Sequence, residues 1–310
     1  MMRSFLLAGV AVIGLAAQAS AAPLTLTGNY VQVGVNDNGT LGSGGATPPG
    51  MLHDPTGTGS FAPGGIPNDY LTPGSPHEGF AVKYATSPTS GRTQLLNDNQ
   101  GPADFGTAAP TPIVDGATWT SSVAGVLQIT NTYKVTANSE RVVISTTITA
   151  LAALLDVVFG RSVDPDPDVN RFGDFVTVNQ RGNATLSAND FVGSKGNVSG
   201  LFLALLNLSG NTYAHDTGIS GFCCNNDDPD NVLAGYGATF PGTSTGDEGL
   251  QMAWRLGDMA EGTSKTIDYA YVFGAKIDDV IVDERVPVPA TAVLFGAALL
   301  GLAGLRRKAA

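Results

Sequence analysis

The sequence predicts an all-β protein: a large antiparallel β-sandwich with long Gly/Pro-rich loops, flanked by an apolar N-terminal segment and a C-terminal apolar helix. Three observations predict it. Glycine accounts for 40 of the 310 residues while only 14% are charged, a balance foreign to helical bundles and coiled coils. Apolar and polar residues alternate with period two through many short stretches, as in strands with one buried face. No stretch of the body sustains a helical period; residues 151–158 are the one short helix candidate and read equally well as the start of a strand.

In chain order, residues 30–35 read as the first strand. Residues 36–76 are a loop system in which nearly every third residue is Gly or Pro, and loops of that length are usually functional or disordered. Residues 79–84 resume strand character. Leu127, Ile129, Tyr133 and Val135 share one face of the next clear strand, with Gln128, Thr130, Thr132 and Lys134 on the other. Residues 141–149 are rich in Val, Ile and Thr, as half-buried strands are. Residues 175–178 and 200–208 follow. Leu250, Met252 and Trp254 then alternate with Gln251, Ala253 and Arg255, and Ile267, Tyr269, Tyr271 and Phe273 form the last apolar face. Turn formers such as Asn36-Asp37-Asn38-Gly39 and Ala137-Asn138-Ser139 separate these runs. Ten or more such strands point to a sandwich, and the length suits a supersandwich.

The termini predict destination. Residues 1–21 carry Arg3, an apolar run and Ala19-Ser20-Ala21, the pattern of a secretory signal peptide, which implies the Sec export machinery. Residues 22–285 form the body. At 286–310, Val286, Pro287, Val288, Pro289 and Ala290 precede an apolar run that ends at Arg306, Arg307 and Lys308. This run is marginal for a membrane span, with the basic cluster staying cytoplasmic. Proline spacing, short span and basic end resemble the PEP-CTERM family of sorting signals, closest to its VPLPA-type variant. Val288 stands where the commonest form carries glutamate. The resemblance covers these 25 or so residues. It implies an exosortase-type membrane protease as partner and transient anchoring in the inner membrane. It also implies delivery to the cell envelope or extracellular matrix of a Gram-negative bacterium, in association with exopolysaccharide.

The chain carries a net charge of −11. The N-terminal segment holds one basic residue and the tail three, neither any acid, so the body carries 12 basic and 27 acidic residues, a net −15. That surface excludes nucleic acid as a partner and attracts cations. Two cysteines, Cys223 and Cys224, make neither a disulfide framework nor a four-cysteine zinc site.

The densest constellation is Asp164-Pro165-Asp166-Pro167-Asp168-Val169-Asn170, with Asp174 beyond. Alternating carboxylates on a proline-stiffened turn suit Ca²⁺, with Asp164, Asp166, Asp168, Asn170 and Asp174 as ligands; the alternative is a solvated acidic turn. A second acidic loop spans 225–231. Of three histidines, His77 adjoins Glu78 and His53 lies in the glycine-rich loops. Such His–carboxylate pairs can act as acid and base, or simply hold the loops in place.

Two functional readings follow. The first is a non-enzymatic surface or matrix protein, stabilised by Ca²⁺. The alternative is a carbohydrate-binding or carbohydrate-active protein on a β-supersandwich, with Trp119, Trp254, Tyr70 or Tyr236 as sugar platforms. The alternative requires His53 or His77 near a carboxylate, Glu78 or Asp69, at a cleft.

Overall fold

The computed structural model describes residues 23–43, 48–220, 228–235 and 242–281. The signal segment, the Cys223-Cys224 pair, Tyr236 and the sorting motif Val286 to Lys308 lie outside the described residues.

The strands are β1 (Leu24–Thr27), β2 (Val31–Val35), β3 (Met51–His53), β4 (Glu78–Ala85), β5 (Thr93–Asp98) and β6 (Thr111–Ile113). After these come β7 (Gly116–Val123), β8 (Leu127–Lys134), β9 (Arg141–Ala150), β10 (Leu154–Val163), β11 (Thr177–Arg181) and β12 (Phe191–Gly196). The last are β13 (Phe202–Asn207), β14 (Ala214–Ser220), β15 (Thr243–Gly246), β16 (Gly249–Met259) and β17 (Ser264–Gly274). Two short helices, α1 (Val169–Phe172) and α2 (Pro229–Leu233), accompany them.

The strands form a nine-stranded sheet, β15-β11-β12-β13-β17-β9-β8-β7-β6, and a five-stranded sheet, β14-β16-β10-β4-β5. A three-stranded sheet, β1-β2-β3, completes the body. Every pairing between these strands is antiparallel. The expected antiparallel sandwich is therefore what forms. Residues 151–158 enter it as a turn and the start of β10, not as a helix.

The predicted faces meet in one core. Aromatic rings from the five-stranded sheet reach those of the nine-stranded sheet: Phe80 lies 5.8 Å from Trp119, and Trp254 lies 5.2 Å from Tyr269. Offset and edge contacts at such spacing add to the burial of large apolar surfaces. The β9 strand alternates strictly between buried and half-buried residues, as a strand with one solvated face must.

Where alternation fails, a second layer covers the sheet. All of β13 is buried, because Leu186, Ile277 and Val280 pack on its outer side with Phe191, Phe202, Ala204 and Leu206. On the outside of the five-stranded sheet, α2 sits over Gly160, where a Cβ would stand 2.9 Å from Pro229. There Lys83 pairs with Asp228 and Asp230 at 2.7 and 3.0 Å, and Arg92 with Asp230 at 2.5 Å. These described carboxylates of the second acidic loop are thus engaged with cations of the sheet.

A fully buried ion pair lies in the core between the sheets. Arg161 on β10 places a guanidinium nitrogen 2.5 Å from Glu78 Oε1 on β4, and neither side chain is exposed. Tyr271 donates to the same carboxylate at 2.6 Å, and the Leu41 N–H donates to Oε2 at 2.6 Å. The guanidinium also lies 5.4 Å from the Phe80 ring centre. Burial works against the Arg161 charge, and Glu78 with the surrounding tyrosines more than restores it. An unpaired guanidinium at this depth would cost several kcal/mol, so Glu78 is its counter-ion.

Candidate functional site

The glycine-rich loops are held by carboxylates, and Pro55 of these loops lines a cleft. Asp69 accepts hydrogen bonds from the N–H groups of Gly50, Met51, Leu71 and Thr72 and from the Thr72 hydroxyl, at 2.7–3.1 Å. Asp54 gathers the N–H groups of Thr56, Thr58 and Ser60 and both threonine hydroxyls. Burial pushes the Asp54 carboxyl up, but those donors outweigh it and hold it well below the usual carboxylate range. Short polar side chains capture turn N–H groups in this way. The Asp54 turn brings Gly57 to φ +66°, where an added Cβ would fall 2.3 Å from Tyr30 Cζ. Only glycine suits both that conformation and that approach.

His53 ends β3 and is fully buried. Its Nδ1 lies 3.0 Å from the Tyr70 hydroxyl and its Nε2 lies 3.0 Å from Glu140 Oε1. Its ring packs 5.6 Å from Phe273. Asn68 donates to the Tyr70 oxygen at 3.4 Å. Burial drives the Tyr70 hydroxyl far above its usual pKa, so it is a neutral donor. The chain therefore has a direction: Asn68 donates to Tyr70, Tyr70 to His53 Nδ1, and His53 Nε2–H to Glu140.

Glu140 is the outer end of that chain. It immediately precedes β9, beside the end of β17, where the Phe273 N–H donates to the Glu140 carbonyl at 2.9 Å. Its side chain is 39% exposed, and it faces a cleft of about 530 Å³ whose lining includes Tyr30, Asn138, Arg141, Phe273 and Lys276. Asn138 is fixed by the Asn29 amide at 3.1 Å, and Arg141 by the Ile281 carbonyl at 2.7 Å. Among the described lining residues Glu140 is the only carboxylate. The arrangement offers one oriented acceptor, two cationic donors, one amide and the Tyr30 ring around a space of small-ligand size.

The other site residues predicted from sequence lie elsewhere. His77 and Glu78 are neighbours in sequence but serve different partners, because successive strand side chains point to opposite faces. Glu78 faces Arg161, while His77 Nδ1 lies 3.0 Å from Asp98 and Nε2 lies 3.2 Å from Ser162. Both are buried, so no His77–Glu78 pair opens on a cleft. The five predicted Ca²⁺ ligands do not point at one centre. Asp168 accepts from the Val198 and Ser199 N–H groups, Asn170 donates to the Pro67 carbonyl, and Asp174 accepts from the Val176 N–H and from Asn197. Asp164 and Asp166 are buried beside each other at the end of β10. Among the described residues no three His, Cys, Asp or Glu side chains form a group that would hold a metal ion. Trp119, Trp254 and Tyr70 have no exposed surface, so none is a sugar platform.

Sequence reasoning missed Glu140, whose neighbours Asn138 and Ser139 read only as turn formers. Its partner His53 lies 87 residues away, and no local pattern links the two.

No protein-family model matches the chain, and no curated protein matches its sequence. Among solved structures, a bacterial glucoamylase complexed with acarbose shows 10% identity and a TM-score of 0.48 over 84% of this chain. A galactose mutarotase related enzyme from Lactobacillus acidophilus shows 11% identity and a TM-score of 0.41, covering 84% of this chain and 99% of that one. An alpha-mannosidase from Enterococcus faecalis V583 shows 11% identity and a TM-score of 0.41 over 82% of this chain. The chain spans about a third of the glucoamylase (34%) and of the mannosidase (29%).

Proposed function

We propose that this is an exported, envelope-sorted protein whose sandwich binds carbohydrate in the cleft beside Glu140. The observation that carries the binding site is the Glu140 carboxylate, oriented by buried His53 and Tyr70 yet exposed on the wall of a 530 Å³ space. The alternative reading of the sequence requires a histidine next to a carboxylate at a cleft. His53 meets that requirement, with Glu140 in place of Glu78 or Asp69. A matrix protein without such a site would leave these groups dispersed.

The chemistry suits sugar hydroxyls. A fixed carboxylate accepts from two vicinal hydroxyls, while Arg141, Lys276 and the Asn138 amide donate to ring and hydroxyl oxygens. The Tyr30 ring offers an apolar face for C–H groups. Glycoside hydrolysis ordinarily uses two carboxylates flanking the bond, and the described cleft holds one, so binding is the favoured activity. Export and sorting rest on residues 1–21 and on the motif from Val286 to Lys308.

The test is a glycan array probed with the full chain, followed by titration of the best ligand. Glu140→Gln keeps an acceptor for His53 but removes the charge, and it should weaken binding about tenfold or more, about 1.4 kcal/mol. An array with no specific ligand, or a Glu140→Gln affinity equal to the parent, overturns the assignment. For sorting, changing Pro287 and Pro289 to Ala should leave the unprocessed chain in the inner membrane fraction; unaltered release would refute it.

A further inference from the structure

One row of paired residues crosses the five-stranded sheet near its end. Asp98 on β5 pairs with Gly79 on β4, Gly79 with Ser162 on β10, and Ser162 with Gln251 on β16. Residues paired in this way project from the same face, here the outer one, since their neighbour Arg161 points into the core. His77, two residues before Gly79, shares that face and sets its ring between Ser162 and Asp98. Its Nδ1 lies 3.0 Å from Asp98 Oδ2 and its Nε2 lies 3.2 Å from Ser162 Oγ.

The three groups have a direction. Burial pushes the Asp98 carboxyl up, and His77 with the Gln100 and Gly101 N–H groups outweighs it, so the carboxyl stays below its usual range. An ionised carboxylate only accepts. His77 Nδ1 therefore carries the proton, Nε2 is the acceptor, and the Ser162 hydroxyl donates to it. The backbone holds the ring in place, with the Asp164 N–H donating to the His77 carbonyl at 2.8 Å. Unlike the Glu78–Arg161 pair, this chain is not sealed: Ser162 is 6% and His77 5% exposed. Against Ser162 lies a cavity of about 10 Å³, lined also by Gln251 and by Pro229 and Val232 of α2. That is room for about one water molecule.

We propose that Ser162, His77 and Asp98 are the nucleophile, base and orienting carboxylate of an esterase site for short acyl groups, separate from the cleft at Glu140. Such a triad is recognised by geometry and roles, not by sequence position. Ser162 Oγ bonds the acyl carbon while its proton passes to His77 Nε2. The ester C–O bond then breaks, and His77 gives that proton to the leaving alkoxide. Water attacks the acyl-serine, its proton passing through His77 to Ser162 Oγ as the carboxylic acid leaves. Gln251, beside Ser162 on the side away from His77, supplies the amide donor for the developing oxyanion. Asp98 touches no reacting atom; it is a positioning residue that fixes the His77 tautomer. The one-water space limits the acyl group to about the size of acetyl.

The experiment is labelling of the full chain with a fluorophosphonate, mapped by mass spectrometry of its peptides, alongside hydrolysis of nitrophenyl acetate and nitrophenyl octanoate. We expect the label on Ser162 and faster turnover of the acetate. Ser162→Ala should abolish both. His77→Gln should slow labelling about a hundredfold or more. Asp98→Asn keeps an acceptor for the Gln100 and Gly101 N–H groups but no longer fixes the tautomer, and it should slow labelling about as much while the protein stays folded. Should these variants fail to fold, the position of the label in the parent decides. No label on Ser162 overturns the proposal and leaves the three residues as a clamp between β4, β5 and β10. So does labelling of Ser162 at an unaltered rate in a folded His77 or Asp98 variant. Octanoate turned over as fast as acetate overturns the short-acyl assignment.

Discussion

Two glutamates in this molecule are built alike and used differently. Glu78 in the core meets a cation and a tyrosine, Arg161 and Tyr271; Glu140 at the sandwich end meets an imidazole that is backed by a tyrosine, His53 and Tyr70. Glu78 has no exposed surface and both its oxygens are engaged, whereas Glu140 keeps 39% of its side chain exposed on a cleft. The difference teaches how to tell a structural carboxylate from one available to a ligand. Titratable partners and a buried tyrosine occur in both. What separates them is whether the network closes on itself or ends at a surface, and only Glu140 ends at a surface.

The comparison breaks most visibly at Glu78. Glu78→Gln strands a buried guanidinium without its counter-ion and should cost about 3–5 kcal/mol in chemical denaturation. Replacing the pair together, with Glu78→Leu and Arg161→Met, should recover most of that loss, because two packed apolar groups need no partner. A loss below about 1 kcal/mol in the single variant would mean that water reaches the pair, and the core assignment would fail.

A smaller effect of opposite sign is expected at Asp166, whose carboxyl is pushed up from 3.8 to about 8, first by burial and then by Asp164 and Asp247. A carboxyl that holds its proton more tightly when folded makes the folded state bind more protons than the unfolded one between those two values. Stability therefore falls as pH rises from about 4 to about 8. Asp166→Asn should be more stable than the parent at pH 8 by about 1–2 kcal/mol and indistinguishable near pH 4. A stability difference that does not vary with pH over that interval would show that Asp166 does not titrate there.

The strands were legible in the sequence because their cause is local. Leu127, Ile129 and Tyr133 on β8 and Leu250, Met252 and Trp254 on β16 alternate as they bury, and period-two patterning needs no knowledge of the partner strand. Residues 36–76 were legible as loops for the same reason, although the short β3 pairing within them was not. Illegible features depend on distant contacts. Phe202–Asn207 are buried throughout because Leu186 and Ile277, from other parts of the chain, cover the sheet. The adjacency of His77 and Glu78 misled, since neighbours on a strand face opposite ways. Glu140 became a site residue only when the loops carrying His53 and Tyr70 folded onto β17. A single glutamate before a β-branched run carries no mark of that.

The smallest stability effect belongs to Glu140, and it sharpens the comparison most. Its side chain is partly exposed, so water can replace the carboxylate when it is removed. Exposed and half-exposed pairs contribute about 0–1 kcal/mol. Glu140→Ala should therefore unfold within about 1 kcal/mol of the parent, while His53 turns its Nε2–H to cleft water. Binding should nonetheless be lost, which separates it from Glu78, where stability collapses before binding can be read. His53→Phe is the companion measurement: it fills the same volume beside Phe273 but releases Glu140. If His53 orients the carboxylate, that variant keeps its fold and binds more weakly than the parent by a margin smaller than Glu140→Ala. If instead Glu140→Ala destabilises by as much as Glu78→Gln, the cleft carboxylate belongs to the scaffold, and the two glutamates are alike after all.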